Sequence, residues 1–88
     1  MTVIWKATLQ PIDVQQIMVP VGAEMLCARE QFDHICVWYR CEPTAPLAPR
    51  TLAVVGTGNP APEADGRYLG TASLQGGQLM FHIFERGH

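Results

Sequence analysis

Apolar and polar residues alternate along most of this chain with a period of two, the pattern of strands that bury one face. Over 3–9, Val3, Trp5, Ala7 and Leu9 share one side and Ile4, Lys6 and Thr8 the other, and Gln10-Pro11 ends the run. Residues 14–19 form a second run with Ile17 and Val19 on one side. Asp13 is of a helix-capping type, but the β-branched residues and Pro20 favour a strand, with Val21-Gly22-Ala23 as the following turn. Residues 24–32 and 35–42 predict a hairpin around Asp33-His34. That register sets Phe32 opposite Ile35, Glu30 opposite Val37, Ala28 opposite Tyr39 and Leu26 opposite Cys41, giving one largely apolar face. The other face carries Cys27, Arg29, Gln31, Cys36, Trp38 and Arg40, with Arg29 opposite Trp38 and Arg40 opposite Cys27. A guanidinium over an indole adds about 0.5–1 kcal/mol at an exposed site.

Residues 42–50 hold Pro43, Pro46 and Pro49, a spacing that suits an extended, polyproline-like connection. It is long for a hairpin loop, so the chain is expected to cross there to another edge or sheet. The continuous Leu-Ala-Val-Val of 51–55 predicts a strand buried on both faces, and 56–66 a loop. Residues 67–74 return as a strand whose Gly70 marks a bulge or a close backbone approach. Gln75-Gly76-Gly77-Gln78 predicts a two-residue hairpin turn, since types I′ and II′ need positive φ. In 79–85, Leu79, Phe81 and Ile83 face one way and Met80, His82 and Phe84 the other, so this strand is expected to be central or covered on both sides. The sum is an all-β chain: one domain over 1–88, a six- to seven-stranded antiparallel sandwich or barrel with at most one short helix in 10–20 or 43–50.

Size and charge narrow the roles. A chain of 88 residues buries only about 60–65% of its unfolded surface, so partners matter to its stability. Its 48% hydrophobic and 16% charged residues exclude disorder. A net charge of −2 and a pI near 5.8 provide neither the basic face of a nucleic-acid binder nor a polybasic membrane signal. The opening Met-Thr-Val-Ile-Trp-Lys lacks the pattern of a leader peptide, and a cytoplasmic protein is expected. Cys27, Cys36 and Cys41 are odd in number and not spaced as metal ligands, and read as reduced, small apolar side chains. No cofactor or metal is implied.

The chemistry the chain offers is sparse. Gly56, Thr57, Gly58 and Asn59 form the one loop suited to cradling an anion with backbone N–H groups. No third glycine, following helix or Lys-Ser/Thr pair accompanies them, and Glu63 and Asp65 oppose an anion, so a tight turn stiffened by Pro60 and Pro62 is the plainer account. The acids there do not have the spacing of a calcium loop. Ser73, the only serine, lacks a nucleophile-elbow context, and His34 beside Cys36 makes no dyad by proximity alone. His82 reads as a packed strand residue, His34 as a turn residue and His88 as a terminal one. Trp38 between Arg29 and Arg40 imitates a single-strand nucleic-acid platform, but one ring and the acidic balance fit a protein interface better.

Several stretches carry a resemblance: Ile4-Trp5-Lys6, residues 19–26, Val37-Trp38, Val55-Gly-Thr-Gly-Asn-Pro-Ala-Pro62, Tyr68-Leu-Gly-Thr71 and Leu79-Met-Phe-His-Ile-Phe-Glu85. Together they resemble a family of small uncharacterised single-domain proteins frequent in bacteriophage and prophage genomes. Members often have His where this chain has Asn59, and the three cysteines fall outside the pattern. The resemblance implies a phage or prophage setting and no catalytic residues. The expectation is a non-enzymatic protein that forms a homo-oligomer or binds another phage or host protein, with the loop at Gly56–Gly66 as the alternative, a small-ligand site.

Overall fold

The computed structural model of the chain describes residues 1–61 and 66–87. Seven antiparallel strands form two sheets: β1 (Val3–Leu9), β2 (Val14–Pro20), β3 (Glu24–Gln31), β4 (His34–Cys41), β5 (Leu47–Gly56), β6 (Arg67–Leu74) and β7 (Leu79–Glu85). One sheet has the order β1-β4-β3 and the other β2-β5-β7-β6. Residues 10–20 and 43–50 hold no helix; among the described residues one 3-10 turn spans Gln75–Gly77. Among the described residues, no helix is long and apolar enough to cross a membrane.

The inward faces are those set by the alternation. Val3, Trp5, Ala7 and Leu9 stand opposite Cys41, Tyr39, Val37 and Ile35 across the β1–β4 ladder. Leu9, Ile35, Val37, Tyr39 and Cys41 are buried, and they share one core cluster with Val19, Leu52, Val54 and Ile83 of the second sheet. β7 lies between β5 and β6 with Ile83 buried, the central position its two apolar faces require.

The hairpin of β3 and β4 departs from expectation. Its loop is Phe32-Asp33, with φ of 53° and 61°, and Gln31 closes the ladder against His34. Two successive positive φ values are the requirement of a type I′ turn. The register is thus moved by two residues, so Ala28 pairs with Val37 instead of Tyr39. A shift of two preserves the faces. Phe32 is 84% exposed at the tip rather than opposite Ile35. Arg29 stands opposite Cys36, Trp38 opposite Cys27, and Arg40 opposite Glu24. Beyond Cys27 a bulge brings Met25, not Leu26, opposite Tyr39 and into the core.

β5 is longer than expected and begins at Leu47, so only 42–46 serve as the crossing between sheets. Pro49 lies within β5, opposite Met18. β7 pairs with β5 only from Leu52 onward, so this end of the strand has a free side where proline is tolerated. The β6–β7 turn keeps Gly76 and Gly77 at its centre with positive φ, and Gln78 N–H donates to the Gln75 carbonyl. Gln75 also takes positive φ, so pairing ends one step early, at Leu74 opposite Leu79. The Asp33 carboxylate accepts its N–H at 2.7 Å, tying the tips of the two hairpins together.

Gly70 meets both expectations. The β6–β7 register shifts between Tyr68 and Gly70, and Gly70 (φ +152°) lies against the backbone of Ala28, where an added Cβ would stand 2.1 Å from the carbonyl oxygen. β3 and β6, the edges of the two sheets, therefore close on each other through a glycine.

Candidate functional site

Gly56 to Asn59 form a turn closed by the Asn59 N–H on the Gly56 carbonyl at 3.0 Å. Gly58 (φ +92°) sits at its third position, the one a type II turn reserves for positive φ. The Asn59 side chain folds back over Gly56. The Thr57 N–H donates to the Met80 carbonyl at 3.2 Å. Two N–H groups needed to cradle an anion are thus used inside the protein.

Register explains where the loop goes. Gly56 pairs with Phe81 near the start of β7, and Arg67 pairs with Glu85 at its end. β5 and β6 both run antiparallel to β7, so the end of β5 and the start of β6 stand at opposite ends of the sheet, joined by one connection. Its described part, with Asn59, Pro60 and Ala61, overhangs a cleft of about 520 Å³ beside Val14, Ala53 and Val55 on the outward side of the four-stranded sheet. Asp13 and Arg86 stand at its margins, and the Arg86 Nε is buried without a hydrogen-bond partner among the described residues. The volume is within the range of small-molecule sites, about 300–1,000 Å³. Pro62, Glu63 and Asp65 lie outside the described residues, as does His88.

Beside this cleft the sheet holds a chain of side-chain hydrogen bonds. His82 Nε2 lies 2.8 Å from Thr57 Oγ1, and His82 Nδ1 lies 3.1 Å from Thr71 Oγ1. Thr71 Oγ1 in turn bonds the Tyr68 hydroxyl, whose ring packs at 5.5 Å, tilted, on Phe84. The loop's threonine is therefore anchored to β7 and β6 through one imidazole. The expected strand residue His82 is half-buried, and its partnership was readable in the chain: a turn centred on Gly76-Gly77 counts back to Thr71 opposite His82. The two hydroxyls accept or donate as the ring tautomer requires. None of these contacts supplies a carboxylate to hold the imidazole as a base, the arrangement that activates a hydroxyl nucleophile.

The second expected site lies on the other sheet. The outward face of β1-β4-β3 carries Trp38 at its centre, flanked by Lys6 on β1 and Cys27 on β3. Arg29 lies diagonal to it on β3 and Arg40 two residues along β4 itself, so the three residues do share a face although Arg29 is not directly opposite the indole. Trp38 is half-buried, while Arg29, Arg40 and Lys6 are exposed. Arg40 pairs with Glu24 at 2.9 Å, and Lys6 bonds the Gln31 amide oxygen. Three of the chain's six basic residues thus surround one tryptophan. On the same face, Cys36 is buried and touches Thr8 and Cys27 is half-buried, while Cys41 is buried in the core; all three thiols are free. Burial, and then the Glu42 carboxylate, push the Cys41 thiol up. Burial and then Cys41 do the same to Tyr39. No group of three or more metal-ligating side chains occurs among the described residues.

A family model matches the chain over residues 1–88, that of the Domain of unknown function (DUF7352). No curated protein and no solved structure matches it.

Proposed function

The chain belongs to the DUF7352 family, whose description assigns no activity, and we propose that it is a non-enzymatic interaction protein that docks another protein of a phage or its host. The phage setting follows from the resemblance in its sequence motifs. The observation that carries the docking reading is the Trp38 face: Lys6, Arg29 and Arg40 around one half-buried indole, with Glu24 as the acid paired there, on a chain of net charge −2. Trp and Arg are the residues that dominate interface energies. A local excess of positive charge favours an acidic partner surface and opposes docking of this face on itself across a two-fold axis. Trp38→Glu tests it. The variant is expected to keep its fold and to lose capture of the partner recovered with the wild-type chain, and unchanged capture would refute the reading.

A second reading, a small-ligand module, is favoured by the 520 Å³ cleft under the Gly56–Asn59 turn. A thermal-shift screen of anions, metals and nucleotides tests it. A stabilisation that Gly58→Val abolishes supports a ligand site there, and no stabilisation by any of them removes it.

A further inference from the structure

Four strand edges terminate the two sheets: β1, β3, β2 and β6. β3 and β6 close on each other at Ala28 and Gly70. β1 carries Lys6, the kind of charge that blunts an edge. β2 has no such guard. Val14-Gln-Gln-Ile-Met-Val-Pro20 has no charge, its only proline is the last residue, and its ladder with β5 is continuous with no bulge. A flat, uncharged, apolar edge is the form that pairs with another strand.

The direction of its free hydrogen-bonding groups can be read. Val54 N–H donates to the Asp13 carbonyl, and Val21 N–H to the Pro46 carbonyl. Odd-numbered residues of β2 therefore turn their peptide groups to β5. The even-numbered Val14, Gln16 and Met18 turn theirs away, and among the described residues no strand pairs with that side. The apolar surface gathers at the same place. Ile12, Val14, Met18, Val21 and the neighbouring Leu47 are all at least half exposed, five of the twelve large exposed hydrophobics among the described residues.

We propose that β2 is the pairing edge of a homodimer, two copies meeting antiparallel about Gln16 to make one eight-stranded sheet. Centred there, Val14 stands opposite Met18 of the second copy, Gln16 opposite Gln16, and Met18 opposite Val14. Every one of these pairs joins residues whose peptide groups are free, so each forms two backbone hydrogen bonds. Asp13 falls opposite Val19 of the second copy, and no like charges meet. A second copy fits better than a foreign strand because the edge is self-complementary under a two-fold axis in hydrogen bonding, polarity and charge at once. The proposal is independent of the Trp38 face, which lies on the other sheet.

Light scattering over a dilution series is expected to give about twice the 9.7 kDa of the chain at high concentration. Hydrogen exchange under the same conditions is expected to protect the amides of Val14, Gln16 and Met18 when concentrated and to release them on dilution. Gln16→Pro removes an N–H that β5 does not use, and Met18→Lys adds a charge at the seam. Each is expected to weaken dimerisation at least about tenfold while the monomer keeps its circular dichroism. Trp38→Glu should leave the dimer intact. A wild-type monomer at all concentrations, or a dimer in which those three amides exchange freely, overturns the proposal without recourse to variants. So does a monomer whose β2 amides are protected only by an added extended peptide.

Discussion

Gly70→Ala is the sharpest test of how the two sheets are joined. The added Cβ would stand 2.1 Å from the Ala28 carbonyl oxygen, where real Cβ atoms do not come within 3.0 Å. The obstacle is backbone, so no rotamer change on β3 can relieve it, and β3 and β6 must move apart by about 1 Å. Overpacking of this kind costs about 1–3 kcal/mol. A φ of +152° is a region essentially confined to glycine, adding about 1–3 kcal/mol for any side chain. Together these come to about 2–6 kcal/mol, against a stability of about 4–13 kcal/mol for a chain of this length. Thermal unfolding should fall by at least about 10 °C. Gly58→Ala is the control: its φ is also positive, at +92°, but nothing lies within 4 Å of the added methyl, so only the conformational cost applies. Urea titrations of both variants read the difference. Equal midpoints would show that β3 and β6 are not held at this separation, and that the contact does not close the sandwich.

Three further outcomes are expected. Phe32 occupies the first central position of a type I′ turn with φ 53° and is 84% exposed, so it contributes strain and no burial. Phe32→Asn should stabilise the chain by about 0.5–1 kcal/mol in chemical denaturation, and a loss would mean that the ring is packed. Glu85 Oε2 takes two bonds from Arg50, at 2.7 Å from Nε and 2.6 Å from Nη2, while Arg50 Nη1 donates to the Ala23 carbonyl at 2.7 Å. The pair is largely buried, and Glu85→Gln should cost about 1–3 kcal/mol in the same assay, with a neutral result refuting its structural role. Cys41 and Tyr39 are both held toward their protonated forms by burial. Their folded ionisation lies above the unfolded one, so the stability they contribute is complete below the unfolded value and is lost as pH rises through the folded value. The urea midpoint should decline on the alkaline side of the ordinary thiol range, Cys41→Ala should delay the onset, and a midpoint that rises there would reverse the assignment.

Strand positions and inward faces were legible because a period of two needs only local sequence. The alternation from Val3 to Leu9 and from Ile35 to Cys41 placed Leu9, Val37 and Tyr39 in the core, and Gly70 announced its own contact. The β3–β4 turn was not legible because its first central residue is phenylalanine, a side chain that positive φ disfavours. Asp33-His34 looked the better loop, and the register moved by two residues. Arg29 thereby lost its place opposite Trp38 but kept its face. The candidate sites divide the same way. Thr71 opposite His82 can be counted back from the Gly-Gly turn, whereas Thr57 beside His82 and Arg50 beside Glu85 depend on how β5 aligns with β7. That register joins two strands of one sheet that are not consecutive in the chain, which no short-range pattern encodes.

The two proposed surfaces bear on each other through geometry. β2 ends the four-stranded sheet, while Trp38 sits in the middle of the other sheet, on its outward face. Pairing through β2 therefore leaves the basic face free and presents it twice. A partner with two acidic patches within reach would then bind the dimer with a second contact that is intramolecular, and its apparent affinity would exceed that of one face by about 10²–10⁴ without any new contact. Gln16→Pro and Trp38→Glu act on different steps of this scheme. Gln16→Pro should weaken capture by a surface-immobilised, multivalent partner and leave binding to a soluble, monovalent one unchanged. Trp38→Glu should weaken both. If Gln16→Pro reduces monovalent binding as well, β2 itself contacts the partner, and the edge belongs to the docking site rather than to a second copy of the chain.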